Sequence, residues 1–249
     1  MIAPPSIWSG VFDTWDEATD AAISRSVDTL QAFDTNRWIE RQEEMLTSAR
    51  LGVATRFTNL PMLVSISGAR SIVDLGGGSG WTFELVAFNT VRDIENYVII
   101  EQQSSVDAFT PSFIDNDRVR FVASNAKFDV QLESVDVLYS NSALQYFPDN
   151  LFLTNLVALC TPDWILLDDL QASSGSQFFS MQHYYGKEIP CRFCDVQSTI
   201  NELQTLGYSL SADVGYPATI GGSLEPSLSG RLATQNNIGT PRSLLFKVV

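Results

Sequence analysis

The sequence predicts an α/β protein in which a parallel sheet is covered by helices on both faces. Short apolar segments without alternation recur from residue 71 onward, as expected of strands that are buried on both faces. Helical segments separate most of these strands, and a glycine-rich turn, residues 76–80, joins the first strand to the helix that follows it. Strands that alternate with helices form parallel sheets with right-handed crossovers.

The first 70 residues differ from the rest and are predicted to form a helical cap, followed by one larger domain over 71–249. Apolar positions at helical spacing and acidic residues after Asp13 predict the first helix, which Leu30 and Phe33 would extend. Two further helices are predicted over 36–51 and 56–67, although Pro61 lies near the middle of the last one.

The larger domain has a regular order of strands and helices. Its first five predicted strands are 71–75, 97–101, 119–123, 135–139 and 164–168, and its predicted helices are 81–89, 106–113, 151–159 and 197–206. Two final strands, 208–214 and 243–249, have no helix between them, and strands joined in this way are more naturally antiparallel. The long loop 215–242 between them is expected to be functional or mobile.

Composition excludes several classes of protein. The 249 residues are 45% hydrophobic and 18% charged, which excludes disorder and fibrous repeats. The net charge of −14 makes nucleic acid an unfavourable partner, because binding to it requires neutralising phosphates. No apolar stretch approaches the roughly 20 residues that span a bilayer. With no signal peptide visible and three cysteines, we expect a cytoplasmic protein that does not contact membranes.

The glycine-rich turn is the most informative segment. Its glycines permit positive φ angles and a close approach of the backbone to a ligand. Glu101 ends the next predicted strand, where a carboxylate can accept hydrogen bonds from both hydroxyls of a ribose. The alternative is a tight turn followed by an exposed acid.

The spacing Asp-x-Gly-x-Gly-x-Gly, residues 74–80, differs from the Gly-x-Gly-x-x-Gly pattern of dinucleotide sites. It resembles motif I of the class I S-adenosylmethionine (SAM)-dependent methyltransferases, and the resemblance extends over 71–170. It implies SAM as cofactor and a Rossmann-like sheet of seven strands, with the last strand antiparallel and inserted between strands five and six. The cofactor residues it implies are Asp74, Gly76, Gly77, Gly78, Gly80, Glu101, Gln102, Asn125, Ala126 and Asn141.

A narrower resemblance concerns residues 8–18, the glycine turn and residues 189–193. These segments are similar to a methyltransferase family that is often encoded among bacterial polysaccharide genes. This resemblance implies a class of enzyme and not a particular acceptor. The candidates for the acceptor pocket are aromatic and polar residues, a set that is compatible with a saccharide: Tyr184, Tyr185, Arg192 and Tyr216. The same set is equally compatible with a small metabolite.

The candidates for catalysis lie after the fifth predicted strand. Methyl transfer to a hydroxyl usually needs a general base, and His183 is the only histidine of the chain. Asp168 and Asp169 lie at the carboxyl edge of the sheet, where they could bind an acceptor amine, orient His183 or coordinate a metal. The alternatives are a structural histidine and carboxylates that cap a helix or face solvent.

The pair Cys191 and Cys194 does not predict a metal site. A structural zinc site needs four ligands, and only Cys160 and His183 remain to complete one. Buried or incidental thiols are the simpler interpretation, and we expect no metal.

The sequence therefore predicts a SAM-dependent methyltransferase acting on a small-molecule or sugar-containing acceptor. Two alternatives stay open: a non-catalytic scaffold that keeps SAM binding, and an NAD-dependent oxidoreductase on a Rossmann sheet. An apolar stripe on the helical cap could also form the interface of a homodimer.

Overall fold

The structure is a computed structural model, and it describes residues 7–25, 33, 35–91, 93–125, 135–184, 186–216, 224–225 and 239–249. Its centre is a seven-stranded sheet with the order β4-β3-β2-β5-β6-β11-β9. The strands of this sheet are β2 (Ser71–Leu75), β3 (Asn96–Glu101), β4 (Val119–Ala123), β5 (Val137–Asn141), β6 (Trp164–Leu170), β9 (Tyr208–Gly215) and β11 (Arg242–Val248). Strands β2 to β6 pair in parallel.

The last strand of the chain confirms the predicted topology. Strand β11 lies between β6 and β9 and is antiparallel to both. The predicted fold class, a Rossmann-like sheet of seven strands with the last one antiparallel, is therefore correct. The loop between β9 and β11 falls largely on residues outside the described part of the chain, where only a two-residue strand, β10 (Leu224–Glu225), is described.

Helices cover both faces of this sheet. They are α2 (Asn36–Arg50), α3 (Leu60–Ser67), α4 (Trp81–Asn89), α5 (Gln103–Phe109), α6 (Leu151–Cys160) and α7 (Val196–Thr205). The first helix, α1 (Trp15–Arg25), packs instead on a second sheet, which is described below. On one face Val73 and Leu75 pack in a core with residues of α6 and α7. On the other face Ile72 packs with residues of α3 and α4. This two-sided burial explains why the parallel strands are apolar without alternation.

The third helix begins later than the sequence pattern suggests. Helix α3 starts at Leu60, so Pro61 lies in its first turn and not in its middle. A first-turn residue needs no N–H donor, and the fixed φ of proline suits this position. The predicted start at residue 56 was wrong. The residues just before Leu60 instead contact the carboxyl ends of strands β5 and β6.

A second, four-stranded sheet was not predicted. It has the order β10-β1-β7-β8 and contains β1 (Trp8–Phe12), β7 (Phe178–Tyr184) and β8 (Lys187–Phe193). Strand β1 is antiparallel to β7, which forms a hairpin with β8. The N-terminal segment is therefore not purely helical, since β1 pairs with residues from the second half of the chain.

Within the described ranges, no helix is long and apolar enough to cross a membrane.

Candidate functional site

A cavity that is partly open to solvent lies at the carboxyl edge of β2, β3 and β5. The ends of parallel strands, the glycine turn, helix α2 and the end of β7 all contribute to its wall. The principal lining residues are Phe33, Trp38, Gln42, Arg56, Asp74, Gly76, Gly77, Gly78, Glu101, Gln102, Ser124, Asn141, Ser142, Tyr146 and Tyr184.

The glycine turn requires glycine for steric reasons. Gly76 has a φ of 75°, and a Cβ at this position would lie 2.3 Å from the Cβ of Ala143. A Cβ on Gly77 would lie 2.6 Å from Oδ2 of Asp74, and one on Gly78 would lie 2.3 Å from Oε1 of Gln42. The backbone of the turn is thus packed closely against neighbouring chain segments while it forms part of the cavity wall.

The amide groups of this turn are used inside the protein. Gly76 donates to the Ile100 carbonyl at 2.9 Å, and Gly80 donates to the Gly77 carbonyl at 3.0 Å. Gly78 donates to Oε1 of Glu101 at 3.0 Å, and Ser79 donates to Oε1 of Gln42 at 3.2 Å. Phosphate sites at helix N-termini depend on such N–H groups pointing at the ligand. These four amide N–H groups, which a bound pyrophosphate would need as donors, already have hydrogen-bond acceptors within the protein.

Two carboxyl groups, Asp74 and Glu101, line the cavity beside the turn. Oδ2 of Asp74 accepts a hydrogen bond from the Tyr97 hydroxyl at 2.7 Å. Burial raises the pKa of Asp74 to about 7, although the Tyr97 hydrogen bond opposes this shift. Burial also raises the pKa of Glu101, against the stabilising hydrogen bonds from the amides of Gln102 and Gly78. Both carboxyl groups can accept hydrogen bonds from hydroxyl donors of a ligand, and a cationic ligand would favour their ionised form.

Asn141 ends β5, the strand next to β2 in the sheet, and it also lines the cavity. Its Nδ2 donates to the Phe57 carbonyl at 3.1 Å and to the Tyr139 hydroxyl at 2.9 Å. Its buried Oδ1 has no hydrogen-bond partner within the described residues. Because an unsatisfied buried acceptor is rare, this oxygen is a candidate to accept a hydrogen bond from a ligand.

Most of the predicted cofactor residues come together at this cavity. Gln102, which directly precedes α5, lines it. Gly80 directly precedes α4 with a φ of 80° and is not among the described lining residues. Asn125 is exposed after β4, and the neighbouring Ser124 lines the cavity in its place. Ala126 lies outside the described residues.

The three predicted catalytic residues are not brought together in the cavity. Oδ2 of Asp168 accepts from the Asn59 amide at 2.8 Å, and its Oδ1 accepts from Asn59 Nδ2 at 2.8 Å and from Ser243 Oγ at 2.5 Å. Burial raises the pKa of Asp168 in spite of these bonds. The geometry therefore favours a structural role for this carboxylate, which links α3 and β11 to β6.

His183 lies on β7, outside the set of described residues that line the cavity. Its Nδ1 is 2.5 Å from Oε1 of Glu188, its neighbour on β8. Successive side chains of a strand point to opposite faces. Since Tyr184 lines the cavity and Gln182 accepts from the Tyr146 hydroxyl at 2.8 Å, His183 points the other way. The role of His183 as a base stays a prediction, and this orientation disfavours it.

Sequence reasoning missed two features of the cavity. One is Arg56, on the loop before α3, where no motif marks it. The other is a group of aromatic rings in contact with one another, of which only Tyr184 was a candidate from the sequence. Phe33 lies 5.7 Å from Trp38, 4.9 Å from Tyr146 and 5.7 Å from Tyr184, measured between ring centroids. These rings come from three separate segments, so only the fold brings them together.

The cysteines are buried free thiols. Burial raises the pKa of Cys191 and Cys194, which keeps both in the thiol form. A search of the described residues finds no group of three or more side chains arranged to hold a metal.

No protein-family model matches the sequence, and no curated protein sequence matches it. Among solved structures, the pyocyanin biosynthetic protein PhzM superposes with a TM-score of 0.56 at 14% identity, over 94% of this chain and 68% of that chain. The 1,6-didemethyltoxoflavin-N1-methyltransferase of Burkholderia thailandensis gives 0.53 at 15% identity, over 94% and 89%. The mitomycin 7-O-methyltransferase MmcR gives 0.52 at 14% identity, over 94% and 67%.

At these identities the similarity establishes the fold, which is the Rossmann-like fold of class I methyltransferases. The chain spans 61% of the length of NcsB1, an O-methyltransferase from neocarzinostatin biosynthesis, with a TM-score of 0.48.

Proposed function

We propose that the protein is a SAM-dependent methyltransferase that transfers a methyl group to a small-molecule acceptor. The observation that carries this proposal is the chemistry around the glycine turn. Two carboxyl groups, Asp74 and Glu101, stand beside a turn whose amides are committed to internal hydrogen bonds. A ligand with ribose hydroxyls and cationic groups fits this wall, whereas a pyrophosphate would find four amides of the turn already engaged in internal hydrogen bonds.

The residues of the cavity fit SAM part by part. Glu101 ends β3 and would accept hydrogen bonds from the ribose hydroxyls. Asp74 would face the positively charged groups of the cofactor. When bound, SAM supplies a methyl group on a sulfonium, which is open to in-line attack. The structure of the Burkholderia methyltransferase contains S-adenosylhomocysteine (SAH), which supports the same cofactor here.

The aromatic rings would position the acceptor and exclude water from it. Phe33, Tyr146 and Tyr184 form an aromatic part of the cavity wall. The described lining contains no histidine. We therefore propose that positioning supplies most of the catalysis, and that the acceptor is a hydroxyl or amine that loses its proton readily.

Titration of the purified protein with SAH and with NAD tests the cofactor. We expect saturable binding of SAH and none of NAD. Glu101→Gln should weaken SAH binding roughly 10- to 100-fold, the usual effect of losing a hydrogen bond to a charged group. Glu43→Gln, which removes the same charge at an exposed position of α2, should leave the affinity unchanged. Binding of NAD with no binding of SAH would favour the oxidoreductase instead.

The acceptor is a separate question from the cofactor. A panel of phenols, heteroaromatic amines and saccharides, incubated with labelled SAM, would separate an enzyme from a scaffold that only binds SAM. The aromatic wall suits either a planar ring or the apolar face of a sugar. A saccharide acceptor, a homodimer and a cytoplasmic location are finer proposals, which the acceptor panel, sedimentation and cell fractionation would test in turn.

A further inference from the structure

Tyr146 lines the cavity, while its hydroxyl group is bonded inside the protein. The hydroxyl donates to Oε1 of Gln182 at 2.8 Å, and Gln182 is buried and is not among the described lining residues. The ring lies 4.9 Å from Phe33 and 6.5 Å from Tyr184, measured between ring centroids. Burial raises the pKa of Tyr146 well above its usual value, so the hydroxyl keeps its proton. A tyrosine that is held at its far end in this way presents the surface of its ring to a ligand.

Gln182 lies in the middle of the second sheet. Its strand, β7, has β1 on one side and β8 on the other, and Gln182 is opposite Trp8 and Ile189. Side chains two positions apart on a strand point to the same face, so Gln182 and Tyr184 share the face that contacts Tyr146. One strand therefore holds Tyr146 at its hydroxyl through Gln182 and at its ring through Tyr184.

The neighbouring strand β8 holds the backbone of the same segment. Arg192 is buried, and its Nη2 donates to the Leu144 carbonyl at 3.3 Å and to Oδ1 of Asn150 at 2.8 Å. Leu144 begins the short 3-10 helix that ends at Tyr146. Arg192 was a candidate for the acceptor pocket from the sequence. It lies outside the described lining and instead supports the segment that carries Tyr146.

A glutamine at position 182 lowers stability unless its amide has a further role. Nε2 of Gln182 is buried and has no hydrogen-bond partner within the described residues. Such a group loses its hydration without replacement, whereas a methionine of similar shape would bury no hydrogen-bonding group. Residues that break this rule concentrate at functional sites. Within the same described residues, the one hydrogen bond of the Gln182 side chain goes to Tyr146, so the role of the amide lies there.

Of the two acceptor classes that the aromatic wall suits, the polar groups of the cavity favour an aromatic ring over a saccharide. Nη2 of Arg56 donates to Ser142 Oγ at 3.0 Å, and Ser142 Oγ donates to Oδ2 of Asp169. The Tyr146 hydroxyl donates to Gln182. A saccharide has to replace the hydration of several hydroxyls, and polar groups that are committed to the protein disfavour it. An aromatic ring needs only apolar surface and packs well against other rings at steep angles.

We propose that the acceptor presents a planar aromatic ring that packs on Tyr146 and Tyr184, and that Gln182 is the residue that positions this wall. This inference rests on the proposed function and names the class of acceptor. Gln182 does not touch the acceptor. It fixes the orientation of the Tyr146 ring through the hydroxyl, and Arg192 fixes the backbone that carries the ring.

The test measures the affinity of the SAH-saturated full chain for 2-naphthol, a planar phenol, by calorimetric titration. We expect Tyr146→Phe and Gln182→Met each to weaken the binding of 2-naphthol about 3- to 10-fold, the effect of one hydrogen bond. The double variant should lose no more than either single one, because both act through the same bond. Gln182→Glu keeps an oxygen that accepts from the Tyr146 hydroxyl, so its affinity should stay within about 2-fold of the wild type.

Ser180→Ala is the matched control. Ser180 lies two positions before Gln182 on β7, is buried, and donates to the carbonyls of Ser9 and Gly10. Its variant loses hydrogen bonds of the same strand, so it should lower the midpoint of urea unfolding and leave the affinity for 2-naphthol unchanged. Gln182→Met should do the reverse, because it also removes an unpartnered amide: the midpoint should change little, and the affinity should fall. A merely structural glutamine would change the midpoint alone.

Several outcomes would overturn this inference. A wild type that binds SAH but not 2-naphthol would show that the wall does not take an aromatic ring, and this result needs no variant to fold. If Tyr146→Phe loses affinity and Gln182→Met does not, the hydroxyl contacts the ligand itself and Gln182 has no positioning role. An equal loss in Ser180→Ala would mean that any loosening of β7 has the same effect. A wild type that binds neither SAH nor 2-naphthol would instead overturn the proposed function itself.

Discussion

At the scale of single residues, the titration of Asp74 in the cavity wall makes the stability of the protein depend on pH. The pKa of its buried carboxyl is raised from 3.8 to about 7, so the folded protein holds a proton that the unfolded chain has lost above about pH 4. The stability from this group is complete below pH 3.8 and is lost as the pH rises through 7. We therefore expect the free energy of unfolding to fall between about pH 4 and pH 7, by up to about 4 kcal/mol from this residue.

Urea unfolding of the wild type and Asp74→Asn at pH values from 4.5 to 7.5 checks this expectation. The variant should show a much weaker decline, because its amide does not titrate. Asp20→Asn, at an exposed position of α1, should retain the decline of the wild type. Parallel pH profiles for the wild type and Asp74→Asn would assign the effect to the other buried acids, Glu101 and Asp168.

Residues of the site differ in how far the sequence can predict them. Asp74, the glycines and Glu101 lie in one strand–turn–helix–strand segment, where local spacing carries the information. Arg56 and Ser142 are 86 residues apart and form a hydrogen bond only in the fold, and no local pattern indicates the positive φ angle at Ser142. The orientation of His183 depends on the register of an unrecognised hairpin.

At the scale of elements, Asn59 joins the start of α3 to the sheet. Its amide and side chain both donate to the buried Asp168, and its side chain also donates to Ser243 on β11. Asn59→Ala removes the side-chain bonds and leaves the carboxylate less satisfied. We expect the free energy of unfolding to fall by about 1–3 kcal/mol in urea denaturation. Asn201→Ala, at an exposed position of α7, should change it by less than about 0.5 kcal/mol.

If the two variants are equally stable, Asp168 is satisfied in another way and its structural role is contradicted. A loss of SAH binding by Asn59→Ala without a loss of stability would instead connect Asp168 to the site.

The parallel strands were predictable because most of their residues are apolar and buried, although Asp74 in β2 and Arg120 in β4 interrupt the apolar pattern. Strands β7 and β8 lack this signal. They contain polar residues such as Gln182 and Arg192, and Pro190 lies inside β8. Proline argues against a central strand, but β8 is the edge of its sheet, where a missing N–H is tolerated. Strand β1 could not be predicted from local sequence, because its pairing partner β7 lies about 170 residues further along the chain.

At the scale of the whole molecule, the second sheet ties the two ends of the sequence together. Strand β1, from the first 70 residues, pairs with β7. The indole of Trp8 packs edge-on against Phe193 at 5.1 Å between ring centroids, and Phe193 stacks on Phe178 at 4.6 Å. The same hairpin carries Tyr184 into the cavity wall. The sequence boundary at residue 70 is therefore crossed by strand pairing, and we propose that both segments fold as one cooperative unit.

Trp8→Ala tests this proposal. Trp8 is 2% exposed in a small core with Phe178 and Phe193, so its truncation should lower the free energy of unfolding by about 3–5 kcal/mol. If the chain is one unit, the whole unfolding transition should shift to lower urea and stay single when followed by both far-ultraviolet circular dichroism and tryptophan fluorescence. Phe88→Ala, on the outer face of α4 with 61% of its surface exposed, should shift it little. Two separated transitions in Trp8→Ala would mean that the N-terminal strand and the hairpin melt on their own. In that event Tyr184 would leave the cavity wall in the first transition. If the partly unfolded protein still binds SAH, the cofactor part of the cavity is independent of the hairpin.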